Sequence, residues 1–377
     1  MLARSMEATV PARIPLNDLK RHNGAIAADL DRAIGRVLSR GWYILGPEVE
    51  AFEQEFAAFC HSRFCVSTGN GTDALELALR ALDVGPGHRV ATVANAGLYA
   101  TSAIAAAGAV PRYVDIDPAT MLMDPASLQP ILDRGVEAVM VTHLYGRVAD
   151  LPEILRLTAA AGVPVIEDCA HAHGASLHGR PAGSWGAIGC FSFYPTKNLG
   201  ALGDGGAAVT SDPELAARLR LGRQYGWEGK YRSSGPGRNS RLDELQAAVL
   251  RAKLPHLPRW NARRLAIAAA YGEGLAGCGL QLPPASVPHL YVVRTPFRDD
   301  LQAELARAGV ATDVHYPVPD HRQPWVAGTA AGHVELPETE RCCREILTLP
   351  CFPEMTDSEV SRVVSSVQLA MPARSTA

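Results

Sequence analysis

Lysine is the residue this chain nearly does without. Of its 36 basic side chains, four are lysines (Lys20, Lys197, Lys230 and Lys253) and the rest are arginine. Arginine keeps its proton, whereas lysine can lose one and become a nucleophile or a base. An excess of either charge is also missing. A net charge of -3, with 20% charged residues in mixed order, gives neither the basic footprint of nucleic-acid binding nor a polybasic face for a membrane. No apolar run reaches the ~20 residues of a membrane-spanning helix. The opening MLARSMEATVPAR lacks the apolar centre of a signal peptide, so a cytoplasmic protein is expected, with residues 1–12 disordered. The eight cysteines (Cys60, Cys65, Cys169, Cys190, Cys278, Cys342, Cys343 and Cys351) show no repeated C-x-x-C and no zinc-finger pairing with histidine. They read as small, buried, unpaired side chains of a reducing compartment, with no metal site.

What is present is enough apolar residue for two cores: 377 residues, 47% hydrophobic. Leu75, Leu79 and Leu82 recur at helical spacing and predict a helix over 72–83. β-rich runs follow at 89–94, 110–116, 137–143, 163–168 and 189–193, separated by alanine-rich helical segments such as LYATSAIAAAG and LPEILRLTAAAG. That alternation predicts an α/β protein with a mainly parallel sheet and helices on both faces. GGAAVTSD, 205–212, reads as one more strand, and 241–276 as a long helix broken near Pro255 and Pro258. The break places a domain boundary there: a large domain over 1–255 and a smaller α+β domain over 256–377. In the latter, LYVVRTPF and VATDVHYPVP are expected as strands, and DDLQAELARAG and DSEVSRVVSSVQLA as helices.

Ligands of open α/β sheets sit where strands end and helices begin, which singles out the loops after Val66, His143, Asp168 and Phe193; the first and the last two carry candidate chemistry. STGNGTDAL, 67–75, has small residues opening a helix, whose free N–H groups suit a phosphate; an ordinary start capped by Asn70, Thr72 or Asp73 has the same pattern. In VIEDCAHAHGA, Asp168 ends an apolar strand and needs a cation, or else caps a helix or bridges an arginine. In FSFYPTKNLGALGDGG, Lys197 follows an apolar strand that would strip its amine of water and lower its pKa, and Ser192 offers a hydroxyl to a phosphate oxygen. An isolated lysine is otherwise a surface ammonium. Together, a phosphate cradle, an acid for a pyridinium and a lysine for a Schiff base are what pyridoxal 5'-phosphate (PLP) requires of a protein.

With those residues in that order, the chain resembles the DegT/DnrJ/EryC1/StrS family of PLP-dependent aminotransferases, which act on nucleotide-linked keto sugars and related cyclic ketones. The likeness runs through IPLNDLKRH, GWYILGPEVEAFEQEFA, GTDALELAL, GAVPRYVDID, HLYGRVADLPEI, EDCAHAHGA, FSFYPTKNLGALGDGG, NSRLDELQAAVL and HYPVPDHRQP. It implies the type I, aspartate aminotransferase-like fold of PLP-dependent transferases and a homodimer with shared active sites. By position, Lys197 matches the Schiff-base lysine and Asp168 the pyridinium partner. Thr72, Asp73 and Ser192 match phosphate contacts, the first two through their backbone N–H groups. His171 falls beside the cofactor ring, and Asn239 matches an asparagine that reaches the phosphate from the neighbouring subunit. Arg241 is a candidate anchor for the amino donor's carboxylate, or a surface ion pair.

The likeness fails at one place. The family usually carries Thr and then an aromatic that stacks on the cofactor ring, but here the segment is Gly97-Leu98-Tyr99-Ala100-Thr101. Either Tyr99 supplies the stack through a shifted backbone or aliphatic packing by Leu98 replaces it. GALGDGG, with Asp204 where many carbon-4 enzymes have Glu, resembles members that aminate carbon 3 of dTDP-linked 3-keto-6-deoxyhexoses, with glutamate as donor. A 4-keto nucleotide sugar, a free cyclitol ketone and a non-catalytic PLP-binding regulator stay open. A dehydratase is disfavoured, because dehydrating members have His in place of the Schiff-base lysine. His143, Tyr145, Tyr194, His315 and Tyr316 lie in segments expected to line the sugar side, or to serve as packing.

Overall fold

A computed structural model describes residues 13–371, so the expectation for residues 1–12 lies outside the described residues. Seven strands form the central sheet: β1 (Phe64–Thr68), β2 (Arg89–Val93), β3 (Val110–Val114), β4 (Ala138–Thr142), β5 (Val165–Asp168), β6 (Ile188–Ser192) and β7 (Gly206–Thr210). Their order is β1-β7-β6-β5-β4-β2-β3. The pairs β2/β3, β2/β4, β4/β5 and β5/β6 are parallel, and β7 alone runs against its neighbours β1 and β6. This is the mainly parallel, type I arrangement expected. The reversal of β7 carries no sequence signal, because strand direction is a property of the connection and not of the strand.

The strands read as unbroken apolar runs because both faces are covered. On one face, Val66, Ile166, Ile188, Cys190 and Ala208 pack beneath the Gly71–Ala81 and Tyr99–Ala106 helices. On the other, Phe191 and Phe193 meet Phe52 and Phe56 of the Pro47–Phe59 helix edge-on, with ring centroids 5.0–5.3 Å apart. The two-residue period of a strand therefore sends both phenylalanines of FSF into this core and turns Ser192 the opposite way.

A second core gathers Ile267, Tyr271, Tyr291, Leu301, Leu347, Val363 and, from the start of the chain, Ile14. It holds the antiparallel pair β8 (Tyr291–Arg294) and β9 (Ile346–Leu349). Around them lie the helices Leu257–Gly274, Arg298–Arg307 and Asp357–Ala370.

Two expectations need correction. The helix expected from 241 starts at Glu244. The Glu244 carboxylate is buried and accepts the backbone N–H groups of Gly46, Glu48 and Val49 at 2.9, 3.0 and 2.8 Å, capping the Pro47–Phe59 helix, while residues 241–243 lie outside the helix. The segment VATDVHYPVP is no strand: it makes only isolated bridges, Ile14 to Val310 and Asp313 to Thr348. Pro317 and Pro319 have no N–H to offer a ladder, and the irregular segment instead delivers His315 and Tyr316 to a cavity. All eight cysteines are free, and seven are buried, Cys278 being partly exposed. Among the described residues no helix is long and apolar enough to cross a membrane.

Candidate active site

Parallel strands β4, β5 and β6 end in register. Thr142 lies opposite Asp168 and Asp168 opposite Cys190, with Ser192 closing β6. Beyond that edge the chain turns back, the Lys197 amide donating to the Tyr194 carbonyl at 2.8 Å. Side chains brace the turn from outside. Buried Lys253 donates from Nζ to the Gly200 carbonyl at 2.8 Å, and Asn198 donates from Nδ2 to Asn261 Oδ1 at 3.1 Å. Lys197 is thereby held at the junction of two cavities of about 400 and 280 Å³ that share Tyr99, Tyr194 and Lys197 as walls. Burial pushes its amine down to about 8, and the neighbouring Asp168 opposes part of that shift.

Asp168 is buried at the floor of the larger cavity. It accepts the Ala170 amide at 3.1 Å and, at 3.5 Å, the Thr142 hydroxyl. Burial raises its pKa; the Ala170 amide, Lys197, His143 and Thr142 act in the opposite direction without cancelling it. A buried carboxylate with so few partners suits a cationic group in front of it.

The opposite end of that cavity is the start of the Gly71–Ala81 helix, with Asn70, Gly71, Thr72 and Ser192 in its wall. The first amides of a helix have no intrahelical acceptor, and here the dipole's positive end faces the cavity. The approach is backbone-close. A Cβ on Gly206 would overlap the Asn70 carbonyl, and one on Gly71 would lie 2.7 Å from Ser192 Cβ. The wall is shaped for an anion such as a phosphate.

Asp73 sits otherwise than expected. Its amide is taken by the Asn70 side chain at 2.8 Å. Its carboxylate accepts the Ser240 hydroxyl at 2.6 Å and faces Arg238 at 3.2 Å. Capping by Asn70 uses the donor that the phosphate was expected to take. His143 and Tyr145 line neither cavity. His143 is fully buried and bonded through Nε2 to Glu167 at 2.9 Å, and the hydroxyl of buried Tyr145 donates to the His315 carbonyl. Glu167 also accepts the amides of Gly183, Trp185 and Gly186 at 2.7–2.8 Å. Burial alone would raise its carboxyl, but His143 and these amides hold it below the ordinary value. Cys169 lies within 4.8 Å of this pair, a spacing that metals use, yet burial keeps its thiol protonated and the other two groups are already engaged. The cluster braces β5 from behind.

Asn239 and Arg241 lie outside both cavities of their own chain. Asn239 is exposed in a bridge with Gln224, and Arg241 rests 5.9 Å from the Tyr225 ring. The smaller cavity does hold His171, His315, Tyr316 and Tyr194. His171 Nδ1 accepts the Tyr145 amide at 3.2 Å, which leaves its proton on Nε2. Sequence reasoning missed His289, whose ring lies 4.4 Å from that of His171 and whose Nδ1 pairs with Asn198 at 3.2 Å; no motif marks it. Of Leu98 and Tyr99, it is Tyr99 that reaches the cavities, while Leu98 packs beside Tyr113 and Val326.

A coenzyme that needs a lysine amine, a buried acid opposite its ring nitrogen and a helix N-terminus for its phosphate fits these residues, and the fold is that of the type I PLP enzymes. Residues 25–368 match the DegT/DnrJ/EryC1/StrS aminotransferase family, and the chain belongs to it. It is a PLP-dependent aminotransferase. It is 44% identical over 370 residues to dTDP-3-amino-3,4,6-trideoxy-alpha-D-glucose transaminase of Streptomyces venezuelae, covering 97% of each chain. Its backbone superposes on S. venezuelae DesV with a TM-score of 0.93 at 44% identity, covering 96% of this chain and 99% of that one. It also superposes on Bacillus subtilis NtdA with bound PMP, with a TM-score of 0.90 at 30% identity, covering 96% and 85%.

The depressed Lys197 amine can be read directly. Its neutral form is the reactive one, so competitive acetylation of the apoprotein, quantified at Lys197 by peptide mapping, should rise as pH passes up through about 8. Asp168→Asn removes the charge that favours the ammonium and should move the midpoint lower still. A midpoint near the 10.5 of an ordinary lysine would contradict the geometry.

Proposed function

We propose that this chain transfers an amino group from an amino acid, with L-glutamate as donor, to carbon 3 of a dTDP-linked 3-keto-6-deoxyhexose. The observation that carries the substrate class is the character of the smaller cavity. Apart from Lys197, none of its lining side chains carries a charge at neutral pH. Burial holds His171 and His289 well below the usual histidine range and lowers His315. Thr196, Asn17, Tyr316 and these imidazoles offer hydrogen bonds without charge, which suits the hydroxyls of a sugar ring. The 3-amino position in the S. venezuelae relative's name, together with Asp204 in the wall of the larger cavity, supports carbon 3.

In this reading Asn70, Thr72 and Ser192 hold the phosphate of PLP, and Asp168 keeps a proton on the ring nitrogen by facing it with a buried negative charge. Bound there, the coenzyme supplies an aldehyde carbon and an electron-withdrawing ring that stabilises charge at the substrate's reacting carbon. Lys197 Nζ, whose pKa burial lowers to about 8, takes the proton from the donor's α-carbon. In the second half-reaction the same nitrogen, having given its first proton to the coenzyme and regained one from it, would deliver that proton to the acceptor's carbon. Tyr99 and Tyr194, shared by both cavities, flank the junction.

The active unit is a homodimer in the cytoplasm, and Asn239 and Arg241 act in the partner's site. Their position outside both cavities of their own chain supports this, as does the nearby exposed run Trp42, Tyr43 and Ile44; Asp243 bridges Ile44 directly.

Two experiments test the proposal. Glutamate should bleach the yellow holoprotein to its amine form, and a dTDP-linked 3-keto-6-deoxyhexose should restore the colour at least about tenfold faster than the 4-keto isomer or a free inosose. Colour that glutamate does not bleach would indicate a sensor instead of a catalyst, and a faster 4-keto reaction would overturn the carbon assignment. Mixing and refolding inactive Lys197→Ala with Asn239→Ala should regain up to about a quarter of wild-type activity, since one site of each hybrid is then intact. A mixture no more active than its parents would refute shared sites.

A further inference from the structure

Tyr99 reaches the cavities by an unusual backbone route. Gly97 and Leu98 are both left-handed, with φ of 81° and 72°, and this double turn precedes the Tyr99–Ala106 helix. At Gly97 a side chain would be strained at this φ, and its Cβ would come within 2.9 Å of the Tyr316 ring, which would have to move. Leu98 pays the steric cost of the left-handed region. It is also the residue before the helix, where a side-chain oxygen would ordinarily satisfy the first amides, and leucine has none.

The group that steadies this turn lies 222 residues further along the chain, and it takes the amide of Leu98 itself. Asp320 is fully buried. Its Oδ1 accepts the Leu98 amide at 2.9 Å, and its Oδ2 accepts the Thr101 hydroxyl at 2.6 Å. Its own amide donates to the Ala94 carbonyl at 2.7 Å. Three bonds thus clasp both sides of the turn. Thr101 also meets the Tyr113 hydroxyl at 3.1 Å. The titratable groups around the carboxylate are the phenols of Tyr113 and Tyr316, the thiol of Cys343 and, on the next residue, His321, which is bonded to Glu340. No basic side chain pairs with Asp320 among the described residues. Burial holds its carboxyl up to about 6, the Thr101 and Leu98 donors restraining that rise, so it is ionised at neutral pH and lies at the positive end of the helix.

We propose that Asp320 is a positioning residue that, from a distant segment, holds Leu98 and Thr101 on either side of Tyr99 and so fixes the left-handed turn that sets Tyr99 against the cofactor cavity. The inference rests on Lys197 being the PLP lysine, and adds that the aromatic beside the coenzyme is placed by a carboxylate from the HYPVPDHRQP segment. The same segment supplies His315 and Tyr316 to the smaller cavity, so Asp320 joins the two walls.

The test compares Tyr99→Leu, Asp320→Leu and the double variant for PLP affinity and for the circular dichroism induced in the bound coenzyme's visible band. Each single change should weaken PLP binding about three- to tenfold, the worth of one aromatic contact, and should diminish the dichroism. The double variant should stay within about twofold of the weaker single, because both remove the same contact. Asp320→Asn, whose amide oxygen still accepts from Leu98, should fall between wild type and Asp320→Leu. If Asp320→Leu does not fold, Thr101→Val removes one of the two side-chain clasps and should shift both readouts the same way by less. Multiplicative losses in the double variant, or wild-type affinity and dichroism in Asp320→Leu, would overturn the proposal. A wild-type protein that binds no PLP would instead overturn the reading on which it rests.

Discussion

Everything in this protein that bears on chemistry depends on keeping one amine out of water beside one carboxylate. Removing water from either group favours its neutral form, and the two effects run in opposite directions on the pH scale: Lys197 is pushed down and Asp168 up. Mutual attraction restrains both shifts. The pair is poised because neither tendency wins outright, and a third, cationic group in front of Asp168 would release Lys197 from its share of the attraction while keeping the carboxylate ionised.

Holding such a pair demands rigidity, and the structure supplies it from behind. Glu167, the residue before Asp168, faces the other side of β5 and gathers three amides and a histidine. The next strand ends in a turn fastened by Lys253 and Asn198. Asn198 in turn links to Asn261 of the Leu257–Gly274 helix and to His289, whose ring packs on that of His171. The catalytic turn, the second core and the wall of the smaller cavity are therefore one hydrogen-bonded unit. A displacement of the second core relative to the sheet would be felt at Lys197 through these side chains.

Much of this was legible in the residues. The apolar runs that became β2 to β7, and the Lys197, Asp168, Thr72 and Ser192 placements around one cavity, follow from periodicity and from where α/β sheets present their loops. What stayed hidden has a physical reason in each case. Asp73 looked like a donor to phosphate, but the Asn70 cap reaches its amide first. His143 and Tyr145 carry polar atoms that could serve a substrate, yet they are spent on Glu167 and on the His315 carbonyl. VATDVHYPVP alternates like a strand but lacks the donors to pair as one. His289 and Asp320 act across 91 and 222 residues, and no local pattern announces a partner so far away.

The scarcity of lysine gives the central claim a sharp test. Lys253 is also buried, with its amine lowered to about 8, so reactivity alone does not single out Lys197; the cavities do, since Lys253 is turned to the Gly200 carbonyl and lines neither. Borohydride reduction of the PLP-reconstituted protein, followed by peptide mass mapping of all four lysines, decides between them. The account predicts a single pyridoxyl adduct, at Lys197, in step with loss of the visible absorbance. An adduct at Lys253, or label spread over Lys20 and Lys230 while Lys197 stays free, would contradict it.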